Sequence, residues 1–115
     1  GVTTLADMPL NSSPVTTTAE ALAAKTAAAK DQLRMDVALY GGLVAGNGDR
    51  MPELIAGGVR GIKAFLIHSG IDEFPAAGEA DLRAALPALA QAGIPLLVHA
   101  ELDLPNRPGV PESTR

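Results

Sequence analysis

Apolar, β-rich runs alternate with alanine- and leucine-rich helical runs along the chain, and that alternation narrows its fold more than any other feature of the 115 residues. Strand, helix and strand in succession imply a parallel sheet joined by right-handed crossovers. Residues 2–7 read as a first strand, ended by Met8-Pro9. A loop over 10–18 follows, and Thr17 with Glu20 suggests a capping box for a helix over 19–33. Residues 36–40 read as a second strand closed by Gly41-Gly42, and Asn47-Gly48-Asp49 leads into a short helix over 50–56, ended by Gly57-Gly58. A third strand over 59–66 precedes a long polar loop over 67–77. The next helix, 79–92, is expected to kink at Pro87 and stop at Gly93. A fourth strand over 95–98 ends in His99-Ala100-Glu101, and prolines at 105, 108 and 111 make 102–115 an irregular loop.

The expected class is therefore α/β. The strands begin about 30 residues apart, near the ~31 obtained when ~250 residues are divided into eight units, so the chain amounts to about four βα units of a TIM (β/α)8 barrel. A doubly wound sheet has the same rhythm, and periodicity alone does not separate the two. No Gly-x-Gly-x-x-Gly follows a strand, which disfavours the dinucleotide-binding version. With no initiator methionine and no closing element after Thr114-Arg115, residues 1–115 are expected to be an excerpt from a longer chain.

Nine basic residues against 13 acidic ones, without a basic block, argue against nucleic acid as a partner. Cysteine is absent, so disulfides and thiolate metal sites are excluded, and any metal must take nitrogen and oxygen ligands. No apolar run approaches the ~20 residues that span a bilayer, and a cytoplasmic location is expected.

Against this background Lys63 stands out, inside Gly61-Ile62-Lys63-Ala64-Phe65-Leu66. An ammonium in an apolar run usually neutralises, pairs or becomes a reactive amine, because leaving it desolvated costs several kcal/mol. His99 lies one βα unit later, so the two fall on neighbouring strands near the strand C-terminal ends, the rim where barrel active sites form. A neutral imidazole is a common metal ligand, and a lysine joins it only when its amine is deprotonated or chemically converted. The plain alternatives are a lysine snorkelling at a strand end and a hydrogen-bonded structural histidine. Glu101, two past His99 on an alternating strand, shares its face and is placed to orient the imidazole.

Four segments then carry a resemblance. Asp7-Met8-Pro9-Leu10-Asn11-Ser12 before Pro14 and Thr16, Gly41-Gly42-Leu43-Val44, residues 61–66 with Ser69-Gly70-Ile71-Asp72-Glu73-Phe74-Pro75, and Leu97-Val98-His99-Ala100-Glu101 together resemble the allantoinase branch of the cyclic amidohydrolases. The likeness covers nearly the whole chain up to Glu101. The lysine and histidine segments are shared across the superfamily, and the Met-Pro-Leu-Asn and Ser-Gly-Ile-Asp-Glu-Phe-Pro segments favour allantoinase.

The resemblance implies a TIM barrel running here from the second strand to just past the fifth. It implies two divalent metal ions, zinc first with manganese, cobalt or iron as alternatives, bridged by Lys63 after carbamylation by carbon dioxide, with His99 as a further ligand. It also implies a metal-bridging hydroxide that opens allantoin, a cyclic ureide, to allantoate in purine breakdown, and a homo-oligomeric full-length enzyme. The remaining ligands and the usual proton-carrying aspartate fall outside this stretch, so these residues alone are not a complete catalyst.

His68 sits five after the lysine, where hydantoinases carry an oxyanion-stabilising tyrosine. It is a candidate substrate contact, with an exposed loop histidine as the alternative. Ser69, Asp72 and Glu73 share that loop, and Asn11 and Ser12 follow the first strand; Ser69 and Asn11 are candidate substrate contacts, although Asn and Ser also favour turns. Asp7 closes a strand, but the family does not use it as a ligand. Rival readings are a hydantoinase, dihydropyrimidinase or dihydroorotase, and a metal-free amidohydrolase-like scaffold.

Overall fold

The structure, a computed structural model, describes residues 1–102. The loop expected over 102–115 lies, from 103 onward, outside the described residues. Four strands and three α-helices alternate: β1 Thr4–Asp7, α1 Ala19–Ala29, β2 Asp36–Leu43, a 3-10 turn Gly48–Arg50 leading into α2 Met51–Ala56, β3 Gly61–Phe65, α3 Glu79–Ala92 and β4 Leu96–His99.

The strands form one parallel sheet in the order β1-β2-β3-β4. This order decides what periodicity left open. A doubly wound sheet reverses its strand order at a switch point, which sends helices to both faces. Here each crossover advances the sheet the same way, and right-handed connections of that kind leave all the helices on one side. Accordingly α1 packs on α2 and α2 on α3. The architecture is α/β, a partial (β/α)8 barrel.

The core lies between sheet and helices. Leu43, Ile62 and Ala64 from the strands meet Leu22 of α1, Met51 and Leu54 of α2, and Ala85 and Leu89 of α3, with Val59 and Ala77 completing the cluster. Each fully buried leucine or isoleucine contributes roughly 1.5–3 kcal/mol.

Several element limits differ from the sequence expectation for identifiable reasons. The cap of α1 is Thr18, not Thr17: its Oγ1 accepts from the Ala21 amide at 3.1 Å, so Glu20 falls outside any capping box. The helix ends at Ala29 instead of residue 33, with Asp31 at φ 62. Its buried residues are Ala21 and Leu22, so packing holds the first turns and leaves propensity alone to extend the last. Strand β2 does not stop at Gly41-Gly42 but runs through them to Leu43. The helix α3 continues through Pro87 to Ala92, where Gly93, at φ 66, caps it in the left-handed conformation. No helix among the described residues is long and apolar enough to cross a membrane.

Candidate active-site face

Residues paired across a parallel ladder project to the same face, and successive residues alternate. Ile62 and Ala64 point into the helix-side core, so Gly61, Lys63 and Phe65 project from the opposite face. The ladder pairs Lys63 with Gly42 and Leu97, and Phe65 with His99. Lys63 and His99 therefore share a face, one row apart on neighbouring strands, toward the strand C-terminal ends. This face lies opposite the helices.

Phe65 links the two. The Lys63 Nζ sits 4.6 Å from the centroid of its ring, and the His99 imidazole stacks on it with centroids 5.2 Å apart and planes 24° apart. The Phe74 ring meets it edge-on at 5.9 Å and is itself fully buried. Lys63 is half-buried in this chain, on the face opposite the helices. Its apolar neighbours alternate, so Ile62 and Ala64 are sealed under helices while the lysine emerges on the other side. The His99 Nε2 lies 3.2 Å from Glu101 Oε2, the partner its spacing suggested.

The loop candidates are held differently. The Ser69 hydroxyl donates to the carbonyls of Phe74, at 2.7 Å, and Ile71, at 3.1 Å, so it braces its own loop. His68 accepts at Nδ1 from the Gly70 amide at 3.1 Å, which leaves Nε2 as the proton-bearing nitrogen facing Asp72 Oδ1 at 3.4 Å; its side chain is exposed. Asn11 is exposed in the β1–α1 loop. That loop is closed by Thr16, fully buried, whose amide donates to the Pro9 carbonyl at 2.8 Å. The structure thus brings Lys63 and His99 together and shows neither His68, Ser69 nor Asn11 in contact with them.

Asp7 lies on the helix side, where its Oδ2 pairs with the Lys25 ammonium. Asn47, read in the sequence as a turn residue, is a buried brace: Oδ1 accepts from the Val44 amide at 2.9 Å, and Nδ2 donates to the carbonyls of Gly42 at 2.9 Å and Thr17 at 3.1 Å. Phe65 escaped attention in the sequence because an aromatic in an apolar strand is the commonest of core residues. Its signal was parity, two positions past Lys63.

The donor chemistry on this face suits a divalent metal in part. Lys63 and His99 offer two nitrogen-bearing side chains from adjacent strands, and no group of three or more His, Cys, Asp and Glu able to hold a metal occurs among the described residues. A metal centre here would need ligands beyond these two. A concavity of about 780 Å³ between α1 and β2, lined by Leu22, Leu33, Val37 and Leu39, lies on the helix side, away from these residues.

No family model matches the chain. It is 43% identical over 113 residues to a probable allantoinase 2 of Dictyostelium discoideum, covering 91% of this chain and 22% of that one. It is 44% identical over 106 residues to an allantoinase of Arabidopsis thaliana, covering 90% and 21%. With an allantoinase of Saccharomyces cerevisiae the figures are 45% over 102 residues, 89% and 22%. Among solved structures, the L-hydantoinase (dihydropyrimidinase) of Arthrobacter aurescens superposes with a TM-score of 0.80 at 34% identity, over 89% of this chain and 22% of that one. The chain spans about a fifth of the length of the curated relatives it matches.

Proposed function

Because this chain corresponds in sequence and fold to a segment of the allantoinases and hydantoinases, cyclic amidohydrolases, we propose that it builds part of the catalytic barrel of an enzyme that hydrolyses a cyclic amide, with allantoin opened to allantoate as the reaction. The observation that carries this reading is the shared face of Lys63 and His99 at the strand C-terminal rim. The choice of allantoin rests on the 43–45% identity to allantoinases, against 34% to the hydantoinase.

Lys63 and His99 are the residues that would hold divalent metal ions, zinc first, with manganese, cobalt and iron compatible with the same ligand types. Lys63 would do so as N6-carboxylysine, formed when its neutral amine adds to carbon dioxide and releases one proton. Such metals, when bound, supply a water activated at neutral pH and polarise the amide carbonyl. The chain's own residues orient the donors. Glu101 hydrogen-bonds His99 Nε2 and so fixes which way the imidazole edge faces. The Asn47 and Thr16 braces hold the ends of β2 and of the β1–α1 loop at the same rim.

The test is turnover by the full-length polypeptide containing this segment, prepared with zinc or manganese and bicarbonate, on allantoin, hydantoin, dihydrouracil and dihydroorotate. Allantoin is expected to be fastest. Lys63→Ala and His99→Ala are each expected to lower turnover by at least ~100-fold, about 2.7 kcal/mol of barrier. Turnover of another ring without allantoin rejects the substrate assignment. A folded protein that takes up no metal and hydrolyses none of the four rejects the catalytic reading in favour of a scaffold.

A further inference from the structure

Phe65 is an aromatic residue on the face opposite the helices, apart from the helix-side core. It is half-buried, projects away from the helices, and stands outside the cluster built on Ile62 and Ala64. Besides Phe74, its ring meets both candidate donors: the Lys63 ammonium 4.6 Å from its centroid and the His99 imidazole stacked at 5.2 Å.

We propose that Phe65 is a positioning residue for the metal centre, an aromatic plate that sets the plane of the His99 ring and gathers the Lys63 stem before any metal binds. The inference rests on the metal reading of Lys63 and His99 given above. A four-carbon lysine stem and an imidazole on an open strand end each have several rotamers, and donors already confined lose less freedom when they bind. Stacking fixes the tilt of an imidazole while leaving both nitrogens at the ring edge, where one meets Glu101 and the other stays off the plate.

The plate is itself held. Phe74 meets Phe65 edge-on at 5.9 Å, and the Ser69 hydroxyl fastens Phe74 through its carbonyl at 2.7 Å. Gly42, the ladder partner of Lys63, makes room for this: a Cβ there would sit 2.4 Å from Phe74 Cε2. The β3–α3 loop thereby bears on both donors through the Phe74–Phe65 pair, and its first residue, Leu66, also holds the His99 backbone by donating its amide to the His99 carbonyl at 3.1 Å.

The experiment compares Phe65→Leu and Phe65→Met, which keep apolar bulk and lose the ring, with Phe65→Tyr, which keeps it, all in the full-length polypeptide. The readouts are zinc affinity by competition with a chelator, lysine carbamate by ¹³C NMR after labelling with bicarbonate, and thermal unfolding. The leucine and methionine variants are expected to unfold within a few degrees of the parent, bind zinc about tenfold more weakly and show less carbamate, whereas the tyrosine variant matches the parent. Equal zinc affinity and carbamate in all variants overturn the proposal. So does loss of folding in both the leucine and methionine variants, which makes Phe65 a core residue. A parent that binds no zinc and forms no carbamate instead refutes the metal reading itself.

Discussion

Two half-buried lysines of this chain meet the cost of desolvation in different ways. Lys63 rests its ammonium on an aromatic ring, whereas Lys25 of α1 surrounds its own with oxygen: Asp7, the Met8 carbonyl at 3.2 Å and Thr16 Oγ1 at 3.4 Å. Removing the second ammonium leaves a partly buried carboxylate without its cation. Lys25→Met is therefore expected to cost about 1–3 kcal/mol, read from the urea midpoint of the full-length polypeptide, with Asp7→Asn in the same background recovering part of the loss. Sequence reasoning found Lys63 and passed over Lys25 for a physical reason. A charge among Ile62, Ala64 and Phe65 is locally anomalous, while a lysine in an alanine-rich helix is ordinary, and its acceptors lie 17 and 9 residues away where no short pattern reports them. The same limit applies to His68 and Ser69. Their loop was identifiable from sequence, but the bonds that turn it inward on itself were not.

At the level of elements, a local stop signal made the end of α3 readable, whereas the cap and last turn of α1 were misread. Where a distant side chain decides, the limits were not readable. Helix α3 shows the local case, running over the expected residues to a left-handed Gly93 with open space where a Cβ would go. Gly93→Ala is expected to cost about 1 kcal/mol purely through backbone strain, measured as a shift in unfolding midpoint. Strand β2 shows the distant one. Glycines that read as a stop are points of close approach: a Cβ added at Gly41 would sit 3.0 Å from Ile62 Cδ1 and Leu54 Cδ1, and one at Gly42 would meet Phe74 and Thr17. Gly42→Ala is expected to destabilise by about 1–3 kcal/mol and to loosen the β3–α3 loop, visible as faster amide exchange at Phe74 and Ala77.

For the molecule as a whole, strand count and helix count were available from the sequence, but barrel or doubly wound sheet was a question of strand order, which only pairing answers. The answer leaves β1 and β4 as edges among the described residues, with Val2, Leu5, Leu33, Met35 and Val98 exposed. Residues 1–115 expressed alone are accordingly expected to self-associate in sedimentation as concentration rises; a clean monomer at high concentration contradicts that.

The monotonic strand order has a further consequence, in time instead of space. Every strand pairs with the one synthesised just before it, and each helix packs on its predecessor, so each unit docks on a template that already exists. Such a chain is suited to assembling from its N-terminal side while still emerging from the ribosome. In that sequence of events Lys63 and Phe65 wait on the growing edge of the sheet, and the arrival of β4 delivers His99 to a ring already in place.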